Sequence, residues 1–137
     1  MNTAATTLQV EGQPPIASPS IEVVHELLGR IHPRGPSFFV LTRSDGSYLQ
    51  CAGARLRLIV ELRRITGSSF EHFVLGRSPA STEVTSINYS GGAIALRRHE
   101  ILALSEATDI FAEFYRTGDA PSAFLRRDTT SEHNRNA

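Results

Sequence analysis

Five histidines, one cysteine and fourteen acidic residues are the side chains through which this 137-residue sequence could carry catalysis or hold a metal. Their spacing argues against most of that chemistry. His25, His32, His72, His99 and His133 stand in none of the H-x-H, H-x3-H or H-E-x-x-H arrangements that place two ligands on one side of a strand or helix. A metal centre would therefore have to be assembled by the fold alone. Glu71 with His72, and His99 with Glu100, are adjacent pairs on predicted strands, where alternation sends the two members to opposite faces. His25 and Glu26 diverge in the same way on a predicted helix. There is no G-x-S-x-G elbow, and Cys51, the only cysteine, stands beside a predicted strand as a small hydrophobe. All fourteen basic residues are arginine, which excludes a Schiff-base lysine, a P-loop lysine and a lysine base. Gly91 and Gly92 lack the strand-to-helix context of a phosphate loop and are explained by a hairpin turn. The residues thus assign no catalytic group, no cofactor and no metal.

One charge asymmetry remains in a chain whose formal charge is zero. Between His99 and Ala120, Glu100, Glu106, Asp109, Glu113 and Asp119 face Arg116 alone. Two readings of this stripe stay open. It is the solvated face of a helix with acids suited to its N-terminus, or a docking surface whose negative potential steers a basic protein. Arg55, Arg57, Arg63 and Arg64 are interrupted by Glu61 and carry no interleaved aromatics, so they read as a solvated strand face and not as a nucleic-acid patch.

The elements that must position these residues are defined by period and punctuation. Ile101 to Pro121 contains the best-specified helix, with Ser105 as N-cap, Gly118 and Pro121 as the stop, and Ala107, Ile110, Phe111, Phe114 and Tyr115 on one side. A first helix, about residues 19–30, is capped by Ser18 or Ser20 and buries Ile21, Val24, Leu27, Leu28 and Ile31. Between them lie a Phe38–Leu41 strand, a turn at Asp45-Gly46, a return strand from Tyr48, an alternating strand at Arg55–Arg63, a strand at Phe70–Leu75, and a hairpin turning at Ser90 to Gly92. Repeated hairpins without βαβ alternation predict an α+β fold: an antiparallel sheet of about six strands with both helices on one face.

Length, an apolar fraction of 40% and a charged fraction of 20% fit a single globular domain. The expected organisation is a flexible leader at 1–18, in which Leu8 to Val10 are open to adding a short strand, a domain at 19–127 and a disordered tail at 128–137, with Phe124 and Leu125 docking just before the tail. No secretory signal and no apolar run of spanning length is present, and one cysteine suits a reducing compartment, so the expected location is the cytoplasm, with no membrane partner.

Three stretches share a pattern with a known group. SFFVLTRSDGSYLQ, then the alternating strand, then YSGGAIALRRHEILALSEATDIFAEFYRTGDAP resembles bacterial immunity proteins of polymorphic toxin systems, especially those paired with deaminase-type toxins. The resemblance covers roughly residues 20–126. It implies a small cytoplasmic α+β protein that binds one secreted toxin and occludes its active site, without catalysis, cofactor or direct contact with nucleic acid. For such an interface, Glu106, Asp109 and Glu113 are the candidates for steering, Tyr48 and Tyr89 for anchoring beside the turns, and Glu71 and Glu83 for exposed strand contacts. A homo-oligomer is compatible with this chain, but nothing in the sequence indicates one. Two other classes stay open: a small-ligand binder or enzyme with His72, His99 or Glu100 in a pocket between sheet and helices, and an adaptor pairing through an exposed sheet edge.

Overall fold

A computed structural model describes residues 5–134. In chain order the elements are β1 (Thr6–Val10), β2 (Ile16–Ala17), α1 (Ile21–Leu28), β3 (Phe38–Arg43), β4 (Tyr48–Ala54), β5 (Arg57–Thr66), β6 (Ser69–Gly76), β7 (Val84–Tyr89), β8 (Gly92–Arg97), a 3-10 turn (Arg98–Glu100), α2 (Leu104–Thr117), β9 (Leu125–Asp128) and α3 (Thr130–Asn134). The fold is α+β. Seven strands form one sheet in the order β2-β1-β3-β4-β5-β6-β9, antiparallel throughout, while β7 and β8 pair only with each other. Of the six or so expected strands, four lie in this sheet and the two of the β7–β8 hairpin stand apart from it, while β1, β2 and β9 from the chain ends complete the seven.

Residues 1–18 were expected as a leader, yet Thr6–Val10 lies inside the sheet between β2 and β3, with Leu8 fully buried. The short strand open at Leu8 to Val10 starts two residues earlier, and its non-local pairing with β3 fixes its extent. At the other end the tail was expected from 128, but β9 runs to Asp128 on the edge of β6 and α3 follows. Residues 1–4 and 135–137 of the expected leader and tail lie outside the described residues. The two sheet edges are β2, of two residues, and β9, of sequence LRRD; shortness and charge are how natural sheets blunt edge pairing.

Alternation separates two cores. Leu8, Phe39, Leu41, Leu49, Cys51, Leu58, Val60, Leu62 and Leu75 cluster with Val24 and Leu28 of α1 and Ala107, Ile110, Phe111 and Phe114 of α2. Burying a side chain such as Phe39, Phe111 or Phe114 contributes about 1.5–3 kcal/mol of transfer free energy. Ala52, Ile59 and Val74, from the opposite pleat of the same strands, cluster with Ile87 and Leu96 of the β7–β8 hairpin. Gly53 lets β4 and β5 approach closely: its φ is +130°, and a Cβ there would collide with the Arg57 carbonyl oxygen.

The helix ends differ from expectation at one point. Ser20 caps α1 by accepting the Val23 N–H at 3.2 Å. Ser105 does not cap α2; the helix starts two residues earlier than such a cap would set, with Ala103 at the cap position and the Glu106 side chain accepting the Ala103 N–H at 2.9 Å. An extended arm sets that start, because Leu58 and Leu102 exchange backbone hydrogen bonds at 2.9 Å and the Leu104 N–H reaches the Arg55 carbonyl at 2.7 Å. Gly118 ends α2 at φ +82°, and the Arg43 guanidinium donates to the Phe114 carbonyl there at 3.3 Å.

Candidate functional site

The face of the sheet carrying Ala52, Ile59 and Val74 is covered at one side by the β7–β8 hairpin and bordered at the other by α3. The strand register lays two rows of side chains across it. Gln9, Val40, Gln50, Glu61, Val74 and Arg127 are successive cross-strand partners from β1 to β9, and Thr7, Thr42, Tyr48, Arg63 and His72 form the parallel row. Acid, amide, arginine, imidazole and phenol thus meet on rigid strands, brought from three separate strands, β4, β5 and β6.

Glu61 is the hub. Its Oε2 accepts from Gln50 Nε2 at 3.0 Å, and its Oε1 lies 3.2 Å from His72 Nε2. His72 is fully buried; its Nδ1 accepts from Arg63 Nε at 3.2 Å, which assigns Nε2–H to the Glu61 bond. The Arg63 guanidinium in turn lies over the rings of Phe70, at 4.1 Å, and Tyr48, at 5.3 Å. Burial pushes the Glu61 carboxyl up, but the hydrogen bonds from His72 and the Gln50 amide outweigh it, so the carboxyl sits below its ordinary value. Burial raises the Tyr48 phenol despite the nearby Arg63 charge. Glu61 therefore presents a net negative charge, with half of its acceptor positions still open.

Beside Glu61 a cleft of about 340 Å³ opens between the sheet and the hairpin. Phe38, Val40, Tyr89 and Ile94 give its apolar walls, Ala52 and Cys51 lie at its base, and Gln50 and Glu61 supply its polar side. Phe38 and Tyr89 meet edge to face with centroids 6.4 Å apart. A clasp fixes the hairpin above it: Glu11 accepts from the Ser37 N–H at 2.6 Å, from the Ser37 hydroxyl at 2.8 Å and from the Ser90 hydroxyl.

The fold also does what the histidine spacing alone does not, bringing Glu61, His72 and His133 together with one ligand-type atom each within 4.8 Å. The two imidazoles stack, centroids 3.7 Å apart and 31° between planes. Their in-plane lone pairs consequently run side by side, and the Arg63 donor holds the His72 Nδ1. This geometry makes a hydrogen-bonded aromatic stack; a shared ion would require one ring to turn and Arg63 to leave.

Of the sequence-predicted residues, Tyr48 and Tyr89 flank the Gln50–Glu61 pair on this face. The others lie elsewhere. Glu106 is engaged by Arg77, Glu113 pairs with Arg116, and Asp109 is exposed beside Arg55 and Leu56. Glu71 is exposed on the opposite pleat of β6 from His72, and Glu83 pairs with Arg98 at 2.9 Å. The acidic stripe is thus partly neutralised by internal arginines. The space between the sheet and the helices holds the larger core, and the clefts of the β4–β5 turn beside α2 and beside the segment after α1 are lined by none of His72, His99 and Glu100. Glu100 is fully buried and held by Arg127, and His99 Nδ1 accepts the Ser81 N–H at 3.0 Å. Sequence reasoning missed Glu61 and Gln50, whose signal was an acid and an amide on the polar pleats of adjacent strands.

Compared with family models and with curated proteins, the chain matches none. No helix among the described residues is long and apolar enough to cross a membrane.

Proposed function

We propose that this chain is an immunity protein, which binds a cognate secreted bacterial toxin, a nucleic-acid-targeting deaminase, and neutralises it by occluding the active site in the cytoplasm of the producer. One observation carries the reading: the uncovered part of the sheet displays Tyr48, Arg63, Gln50 and Glu61, with Tyr89 of the adjoining hairpin beside them, as half-buried side chains held by neighbours on rigid strands. Tyrosine and arginine are the residue types that dominate binding energy, and anchors already fixed in place lose little entropy on association. An occluding inhibitor needs such a surface and no catalytic group. An enzyme that acts on nucleic acid must carry basic side chains near its substrate groove, and the Glu61 carboxylate offers those a complementary charge.

The centre of the interface accordingly shifts from the acidic stripe of α2 to this sheet face, with Asp109 as the free acid of the original trio. Co-expression with the toxin encoded beside the gene tests the reading. Survival of the host and a stoichiometric complex on purification are expected, with both lost in a Tyr48→Ala, Arg63→Glu double variant that remains folded. Killing that continues in the presence of the wild-type chain, with no complex recovered, would refute it.

A further inference from the structure

We infer that the cleft between the sheet and the β7–β8 hairpin is a receptor for an arginine side chain projecting from the protein partner, with Glu61 as counter-ion and Phe38, Val40 and Tyr89 as the walls. The inference rests on the immunity reading for the identity of the partner, but the cleft chemistry stands on its own geometry. Its volume of about 340 Å³ falls in the range of small-molecule sites, ample for one long side chain. The walls are apolar and aromatic, which suits an aliphatic stem and offers ring faces to a planar cation.

The polar end is selective for that cation. Each Glu61 oxygen accepts one hydrogen bond from a neutral group, Gln50 or His72, which orients the carboxylate without neutralising it. Glu61 is the only charged residue among those lining the cleft, and its side chain is 19% exposed, so the charge is reachable yet little screened. A neutral ligand would leave this acceptor unpaired, and an anion would meet repulsion. A guanidinium can take both remaining acceptor directions while lying flat against Tyr89 or Phe38. The Glu11–Ser37–Ser90 clasp holds the hairpin wall in place before any ligand arrives.

The probe is n-butylguanidinium, the arginine side chain together with its Cα carbon, with the isosteric neutral n-butylurea as control. Titration of the isotope-labelled full chain should give saturable NMR shifts at Phe38, Gln50, Tyr89 and Ile94 with the guanidinium and not with the urea. Glu61→Gln should weaken the probe about tenfold, and Val40→Phe, which fills the cleft and leaves Glu61 untouched, should abolish the shifts. Equal response to the urea, indifference to Glu61→Gln, or no saturable shift would overturn the inference. The two proposals separate cleanly in the toxin assay. If wild type, Glu61→Gln and Val40→Phe all bind and neutralise the toxin alike, immunity stands and the arginine receptor falls. If butylguanidinium binds as described but no toxin complex forms, the receptor stands and immunity falls.

Discussion

Arg77 and Glu106 face each other through two parallel hydrogen bonds, each of 2.7 Å, from Nε and Nη2 to the two carboxylate oxygens. The same carboxylate accepts the Ala103 N–H at 2.9 Å, so one side chain both closes the first turn of α2 and ties it to the segment after β6. The hydrogen bonds from Arg77 outweigh desolvation and hold Glu106 below the usual carboxylate range. Glu106 therefore acts mainly within the fold.

Glu106→Ala should lower stability by about 1–2 kcal/mol, most of it from the lost cap because the Arg77 end of the pair is solvent-screened. Asp109→Ala, at an exposed position on the same helix, should stay within about 0.5 kcal/mol. Urea unfolding monitored by circular dichroism distinguishes the two. Equal effects would remove the cap from the account of α2.

Glu100 and Arg127 make the corresponding contact on the other side of the sheet. The fully buried Glu100 accepts from Arg127 Nε at 2.7 Å and Nη2 at 3.0 Å, and from the Arg97 N–H at 2.7 Å. Arg127→Met leaves a buried carboxylate with a backbone donor only, a change that costs about 3 kcal/mol in comparable settings. Adding Glu100→Gln to it should recover part of that loss, giving a coupling above about 1 kcal/mol in a double-mutant cycle. Additive losses would show that the pair is not what anchors β9.

Cys51 is 1% exposed among the residues between the sheet and the helices, and burial pushes its thiol up to about 12. Native protein at pH 8 should hence not react with a disulfide reagent, while protein in denaturing urea should react completely. The slow native rate should match the global unfolding equilibrium, since β4 lies in the middle of the sheet. Rapid labelling would mean that β4 opens locally.

Local periodicity made some of this structure legible in the sequence and left the rest hidden. The 3.6-residue recurrence of Ala107, Ile110, Phe111 and Phe114 and the alternation of Leu58, Val60 and Leu62 each record which side meets the core, and each of these residues is fully buried. Thr6–Val10 carries too few apolar residues for a strong signal, and its strand is fixed by register with β3, whose partners run from Arg43 opposite Thr6 to Phe39 opposite Val10. The candidate site is hidden for the same reason. Gln50 and Glu61 are eleven residues apart, and the Ser90 that steadies Glu11 is seventy-nine away, so these contacts are written in strand pairing and not in spacing. Tyr48 and Tyr89 draw attention in the sequence because aromatics beside turns are locally visible. The bond between Glu106 and Arg77 is hidden there because its members are twenty-nine residues apart.

The Glu61 network predicts a two-step acid profile. His133 is held below its ordinary 6.5 first by burial and then by the neighbouring His72 and the Arg63 charge, partly offset by Glu61 and Glu132. The unfolded chain therefore binds a proton at His133 before the folded one does, and stability declines as pH falls from about 6.5 toward the lower folded value. Glu61 is likewise held below its ordinary 4.5, so its contribution is complete above that pH and is lost as pH falls through the folded value. Both slopes have the same sign but occupy different windows. His133→Ala should flatten the decline just below pH 6.5 and leave the lower one in place. Glu61→Gln should cost stability at neutral pH, and its difference from wild type should shrink only below about pH 4.5. Equilibrium denaturation at closely spaced pH values resolves the two. A Glu61→Gln difference that stays constant down to pH 3 would show that the carboxylate is not selectively stabilised in its charged form, and would remove the basis for its role as a counter-ion.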